Sequence, residues 1–300
     1  MLPEGIYLFS KGLDKVAKPF PVEMQSLPEN WRTFSDFVDG TLLEHEDLTF
    51  LRFDGAVSSP IFICGECTST MDVAAELVRR GLLPEWGSVL ALSQNSGRGQ
   101  LRRLWASPAG NLYATLCWPE LSGGWEAVDV GLVSIVFGWC FMEAASSLGA
   151  NLQLKWPNDL LQNGRKVAGM LMEDRFGATL GGIGMNLVHS PGDDAMRRDA
   201  ACPAGKLAFD GPVHSVPNLW SNLENQAKNI YARLICDFSP QEFLSLVESR
   251  LAWVGRNVLV RDGGEPATEG RLSGLSDDGG LIVVRDGVES VVRSGSIVPV

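Results

Sequence analysis

The segment from residue 126 to 149, EAVDVGLVSIVFGWCFMEAASSLG, constrains the fold more than any other stretch. Its apolar residues do not form one stripe. They cover most of the surface a helix would have, and a helix that is hydrophobic all round must be enclosed. A bilayer is excluded as the enclosing medium, because Asp129 and Glu143 interrupt the run before the roughly 18 uncharged residues that a span requires. The enclosing surface must therefore be protein. Strand-like IFICGE, SVLALS and NLYATLCW precede the segment, and LQLKW, KVAGMLME and TLGGIGMNLV come after it. Long helical and strand-like runs in this mixture predict an α+β domain, with helices packed on a mixed sheet.

The neighbouring signals fit that frame. Residues 71–83, MDVAAELVRRGLL, have a helical period. Ser69 and Asp72 stand at capping-box spacing before them, and Gly81 is placed to end the helix. Residues 217–250 read as helix with a break near Ser239-Pro240. From about 252 the texture changes to short strands, NVLVRD, ATEGRLSGLS, LIVVRD and VESVVRS, joined by Gly/Asp turns. This predicts a small all-β barrel. Residues 1–62 carry strand-like IYLF and DLTFLRF around a Pro-rich stretch that reads as loop. The expected organisation is an accessory region at 1–62, a main domain at 63–250 and a closing β domain at 251–300.

Charge narrows the function classes. The chain carries a net −11, which argues against a general nucleic-acid binder, whose affinity rests on basic side chains neutralising phosphates. The opening residues MLPEGIYLFSKGLDK lack the basic and apolar blocks of a secretory signal. Together with the missing span, this predicts a cytoplasmic protein that does not engage membranes. Of the six cysteines only Cys64 and Cys67 are close, and His45, His189 and His214 are scattered. That pattern predicts buried reduced thiols rather than a zinc site.

Four motifs could carry chemistry. In SGRGQLRRLWASPAGN, residues 96–111, Arg98, Arg102 and Arg103 cluster within a stretch free of acids between Glu85 and Glu120. Glycines at 97 and 99 would allow positive φ and close approach of backbone N–H groups to an anion, and arginine forks suit phosphate oxygens. In LKWPNDLL, residues 154–161, Lys155, Asn158 and Asp159 come after an apolar strand, and Pro157 should hold Trp156 extended. In GRKVAGMLME, Lys166 opens a strand and Gly169 permits close approach. In GGIGMNL, residues 181–187, the glycines would let a ligand lie on the strand, while Asn186 offers both donor and acceptor. Taken singly, each also has a bland reading, as a basic turn, a Pro-Asn-Asp turn, a flanking lysine or a strand bulge.

Their order and intervals are specific. STM at 69–71, Q-x-x-GRG at 94–99, W-x-SP-x-GNLY at 105–113, KWPND at 155–159, K-x-AG at 166–169 and GIGMN at 183–187 together resemble the catalytic domain of the biotin protein ligases. The resemblance covers roughly residues 63–300. It implies a class II synthetase-like mixed sheet and a C-terminal SH3-like barrel. It also implies an enzyme that uses ATP and Mg2+ to make a biotinyl-adenylate and transfers biotin to a lysine of a biotin carboxyl carrier protein. By the same resemblance Ser69, Thr70 and Gln94 would bind biotin. Gly97, Arg98, Gly99 and Arg103 would form a loop closing over biotin and the adenylate, and Trp105 would pack on the ligand. Lys166 would contact the biotin carboxylate and the α-phosphate. Lys155, Asn158 and Asp159 would serve the ATP and metal side, with Asp159 placed to orient or deprotonate the acceptor amine. Gly169, Gly184 and Asn186 would line the ligand, the last two near the ribose and phosphates.

Catalytic weight falls on Lys166, Arg98 and Asp159; the metal ligands are not identified. The rivals are a lipoate/octanoate-protein ligase of the same superfamily and a non-catalytic binder of biotin or its adenylate. Pairing into a homodimer is compatible with the resemblance. Two departures stand out. Residues 1–62 have a net of −5 where many relatives carry a DNA-binding module, so specific DNA binding is not expected. In the loop, Gln100 replaces the usual arginine and Arg102 the usual glycine, which predicts weaker adenylate retention.

Overall fold

A computed structural model describes residues 2–21, 27–32, 40–55, 57–100, 103–126, 128–192, 202–261 and 267–300. In chain order the strands and helices are β1 (Ile6–Lys11), β2 (Thr41–His45), β3 (Leu48–Phe53), β4 (Ile61–Cys67), α1 (Thr70–Arg79), β5 (Ser88–Gln94), β6 (Leu112–Trp118) and α2 (Val130–Ser146). Next come β7 (Gln153–Lys155), β8 (Asp159–Gln162), β9 (Arg165–Arg175), β10 (Ala178–Met185), α3 (Val216–Asp237) and α4 (Pro240–Arg250). The chain closes with β11 (Asn257–Arg261), β12 (Thr268–Leu275), β13 (Leu281–Arg285), β14 (Val288–Val292) and β15 (Ser296–Pro299). It divides into two compact units.

The first unit comprises Met1–Glu120, Gly169–His189 and Lys206–Asn225. Its strands run in the order β2-β3-β1-β4-β5-β6-β10-β9. β4 pairs in parallel with both β1 and β5, and the β10–β6 ladder is antiparallel, so the sheet is mixed. β4 and β6 have near-continuous apolar faces and are buried along their lengths, as central strands covered on both sides must be. α1 puts Met71, Val73, Ala74 and Leu77 into the core and leaves Arg79 at the surface. Ser69 caps it, its side chain accepting from the Met71 N–H. The reciprocal half of the expected capping box is replaced, because Asp72 uses its oxygens on Thr68 and Arg98.

The described strands within residues 1–62 share one sheet with β4, and β1 and β3 share one core with α1. Tyr7 of β1 stacks on Phe62 of β4, with centroids 5.0 Å apart, and meets Phe50 of β3 edge-on at 6.1 Å. These rings belong to the same buried cluster as Val73, Ala74 and Leu77 of α1. Downstream of β1, Ala17 bridges Cys67 in antiparallel fashion, the Lys18 N–H donates to Glu66 O, and the Thr68 N–H donates to Val16 O.

The second unit comprises Leu121–Ala168, Ser190–Gly205 and Gln226–Val300. β9 begins in it, at Arg165–Ala168, and continues into the first unit from Gly169. Within it the order β9-β8-β7 ends in a β7–β8 hairpin that pairs Lys155 with Asp159. α2 is the enclosed helix that the sequence demands. Ile135, Val136, Phe137, Cys140, Phe141, Met142, Ala144 and Ala145 are all buried. α4 begins at a full capping box, Ser239 with Glu242, with Pro240 in its first turn. The C-terminal strands form a separate antiparallel sheet in the order β14-β13-β12-β11-β15. Five of the six cysteines are buried and Cys236 is exposed. Among the described residues no helix is long and apolar enough to cross a membrane.

Candidate active site

The first unit gathers an uncharged polar cluster where β5 ends and α1 begins. The side-chain Oε1 of Gln94 accepts from the Thr70 N–H at 2.8 Å and lies 3.3 Å from the Thr70 hydroxyl. Its Nε2 donates to Ser107 Oγ at 2.8 Å, and Thr115 donates its hydroxyl to Thr70 Oγ1 at 2.8 Å. Ser69, Thr70, Ser107 and Thr115 are all buried. Each hydroxyl can rotate and each oxygen has a second lone pair, so the cluster can both donate to and accept from a neutral polar group such as a urea. The sequence motifs assign no role to Ser107 or Thr115. Thr115 is detectable as the hydroxyl within the otherwise apolar LYATLCW strand, and Ser107 as the serine of W-x-SP.

The Arg-rich loop leaves this cluster as a narrow hairpin. Arg98 bridges Leu104, the Trp105 N–H donates to Gly97 O at 2.8 Å, and the Gly99 N–H donates to Arg103 O at 2.8 Å. Of the loop's arginines, the two described ones, Arg98 and Arg103, do not converge here. Arg98 is tied to Asp72 in the first turn of α1 at 2.6 Å, while Arg103 is exposed. Arg102, one of the two loop departures, lies outside the described residues, as does Leu101. Gln100 contributes its carbonyl to the turn, accepting from the Arg103 N–H at 3.2 Å.

The glycines act differently from the expectation. Neither Gly97 nor Gly99 is among the positive-φ residues. Gly97 is required sterically, since a Cβ there would lie 2.6 Å from both Ser107 Oγ and Trp105 O. Among the described residues Gly99 has room, the nearest neighbour to a Cβ being Arg103 O at 3.8 Å. On β10, a Cβ at Gly184 would come within 2.5 Å of Trp105 Nε1, so the indole lies directly on the strand. Asn186 comes two residues later, buried, with its carbonyl accepting from the Leu207 N–H at 2.7 Å.

The second unit holds the charged cluster. Lys155 donates to Asp159 Oδ2 at 2.9 Å, and Lys166 Nζ lies 2.6 Å from Asp159 Oδ1. Lys155 and Asp159 are only 4% and 6% exposed, whereas the Lys166 side chain keeps 26% of its surface. Burial alone would raise the Asp159 carboxyl, but Lys155 and Lys166 outweigh it and hold the group down at about 2. The trio thus holds two ammonium groups to one carboxylate, and Lys166 is its more exposed lysine. The backbone fixes Lys166 as well: its N–H donates to Pro203 O and its carbonyl accepts from the Gly205 N–H, both at 2.8 Å. The Trp156-Pro157 peptide is cis, and Asn158 sits half-buried in the adjoining turn. Gly169 lies half-buried on β9, three residues beyond Lys166.

One cluster suits a neutral hydrogen-bonding group and the other an anion. Residues 64–189 match the biotin/lipoate A/B protein ligase family. The biotin–[acetyl-CoA-carboxylase] ligase of Paracoccus denitrificans is 32% identical over 204 residues, which cover 65% of this chain and 82% of that protein. The bifunctional ligase/repressor BirA of Escherichia coli is 41% identical over 99 residues, or 32% of this chain and 30% of that protein. A biotin protein ligase from Aquifex aeolicus, solved in complex with biotin and ATP, has the same fold. It is 23% identical, with a TM-score of 0.63 over 79% of this chain and 97% of that one.

Proposed function

The chain belongs to the biotin protein ligase family, and we propose from that premise that it joins biotin to ATP and passes the biotinyl group to a lysine of a biotin carboxyl carrier protein. The observation that carries this reading is the Lys155–Asp159–Lys166 cluster, with one ammonium group left accessible on a rigid strand.

The chemistry explains the need for such a cluster. A biotin carboxylate oxygen attacks the α-phosphorus of ATP. The P–O bond to the β-phosphate breaks, and pyrophosphate departs with that electron pair. Both reactants are anions, so a fixed cation lowers their repulsion and stabilises the charge that builds on the phosphoryl oxygens. Lys166 supplies that cation. In the second step the carrier's neutral amine attacks the acyl carbon, AMP leaves, and the amine loses a proton. Asp159, held near 2, is a weak base; in our reading it orients the two lysines instead of deprotonating the acceptor. With both of its oxygens engaged by ammonium groups, it is also a poor metal ligand. Mg2+ would instead be carried in with ATP, where it would neutralise phosphate charge.

Biotin is favoured over lipoate by the donors around Gln94. A ureido ring can use the remaining donor and acceptor capacity of Ser69, Thr70, Gln94, Ser107 and Thr115, each added hydrogen bond contributing about 0.5–1.5 kcal/mol, whereas a dithiolane makes none of these bonds. Biotin with MgATP is thus expected to release pyrophosphate, with transfer to added carrier apoprotein, while lipoate turns over at least about tenfold more slowly. Equal turnover of the two acids would transfer the assignment to the lipoate branch. Binding of biotin without any pyrophosphate would make the protein a non-catalytic binder.

The wall beside this cluster gives a sharper test. A methyl group at Gly184 must displace the Trp105 indole, and overpacking of this kind costs about 1–3 kcal/mol. Gly184→Ala is expected to weaken biotin binding by about fivefold or more, with a change in tryptophan fluorescence. Calorimetry showing wild-type affinity would mean that the Trp105–Gly184 contact does not shape the biotin site.

A further inference from the structure

The first unit contains a second set of buried amides that the adenylation and transfer steps do not use. Asn111, 1% exposed, accepts with a single oxygen from three successive backbone N–H groups, those of Leu187, Val188 and His189, at 2.9, 2.9 and 3.0 Å. Its Nδ2 donates back to His189 O at 2.8 Å. All four contacts fall on the three residues immediately after Asn186. The residue before Asn111, Gly110, has φ +105, and its carbonyl accepts from Nδ2 of Asn30 at 2.8 Å. Asn30 is 8% exposed and comes from the N-terminal region, 80 residues away in sequence. A Cβ at Gly110 would sit 3.5 Å from Val188, so the turn carrying Asn111 lies against the segment it holds.

We propose that Asn111 and Asn30 are positioning residues: Asn111 clamps the end of β10 and so fixes Asn186, and Asn30 fixes the turn that presents Asn111. Beyond Met185 the strand ends, and its N–H groups lose their ladder partners. Donors that leave a ladder need another partner, and here a protein group supplies it. One amide oxygen serving three of them defines the path of the chain immediately after Asn186, while the Leu207 N–H holds Asn186 through its carbonyl. This gives residues 1–62 a specific contribution to the site, one buried side chain that acts through two intermediates.

The inference rests on the ligase reading, in which Asn186 lies on the nucleotide side and the Gln94 cluster on the biotin side. Loosening Asn186 should therefore raise the KM for ATP and spare the KM for biotin. Asn111→Ala is expected to raise the ATP KM about tenfold or more, and Asn30→Ala, which removes one hydrogen bond further from the site, about threefold. In both, kcat and the biotin KM should stay within about twofold. Asn111→Asp keeps the three acceptor contacts but sets a carboxylate oxygen where Nδ2 donated to His189 O, so it should recover only part of the ATP KM. The assay is biotin-dependent pyrophosphate release by the full chain, with thermal unfolding measured beside it. A fall in melting temperature with both KM values unchanged, or with both raised equally, would overturn the proposal and leave these residues purely structural. No biotin-dependent release from the unaltered protein would overturn the ligase reading instead. If Asn111→Ala does not fold, Asn30→Ala still decides the matter, and an unchanged ATP KM in that variant would overturn the proposal.

Discussion

Lys166→Ala should lower biotin-dependent pyrophosphate release by about 10²–10³-fold, the usual cost of removing one preorganised charge at a developing anion. Lys166 is the member of its cluster that a ligand can reach, and its backbone is pinned on both sides by Pro203 and Gly205. Losing the side chain leaves Asp159 with Lys155 at 2.9 Å, so the carboxylate remains paired and the fold should hold. Lys166→Arg keeps the charge, but its broad guanidinium cannot reproduce a compact ammonium 2.6 Å from Asp159 Oδ1. It should recover only part of the rate. The measurement is single-turnover adenylation with saturating biotin and ATP, alongside circular dichroism. An alanine variant with more than about a third of the wild-type rate would reduce Lys166 to a lysine flanking a strand, since that is far above any residual activity a missing transition-state charge permits.

Much of this architecture was legible because the burial pattern is written locally. β4, β5 and β6 are apolar without alternation, α2 is apolar on every face, and α1 carries its own cap. What escaped was non-local. β2, TLLEH, has three of five residues exposed and so offers little hydrophobic signal. The attachment of residues 1–62 depends on β1 pairing in parallel with β4 across some 55 positions, in the register Ile6 to Ile61. No local pattern announces such a pairing.

The site divides in the same way. Residue types that serve an anion or a urea could be named from KWPND, K-x-AG and Q-x-x-GRG, because the types follow from the chemistry. Their partners could not. That Asp159 answers two lysines at once depends on a hairpin setting it opposite Lys155 while β9 brings Lys166 alongside. The attachment of Arg98 to Asp72 was equally hidden, since the spacing assigns Asp72 to a capping box. Gly97 and Gly99 read alike in sequence, yet among the described residues only Gly97 faces a steric wall.

Asp159→Asn should destabilise the protein by about 3–5 kcal/mol, because removing one partner of a buried ionic group leaves the others uncompensated. Lys155 is the cause. It is 4% exposed and its ammonium is held by Asp159 at 2.9 Å. An amide fills the same space but carries no charge, and it can accept through only one oxygen where the carboxylate offers two. Lys166 can turn to solvent, whereas Lys155 has little room to do so. The pH dependence should identify the mechanism. Burial opposes ionisation of Asp159, yet the two lysines hold its folded-state value at about 2, against about 3.9 for an unstructured aspartate. A depressed value of this kind stabilises the folded state above the unfolded pKa. That contribution, on the order of 2–3 kcal/mol, is lost as pH falls from about 4 to about 2. The wild-type protein should therefore shed stability across that window more steeply than the Asn variant, and the gap between their denaturant midpoints should be constant from about pH 5 to 8 and narrow below about 4. A variant as stable as wild type at neutral pH, but inactive, would mean that the Asp159 carboxylate serves the reaction and contributes little to holding Lys155 in the core.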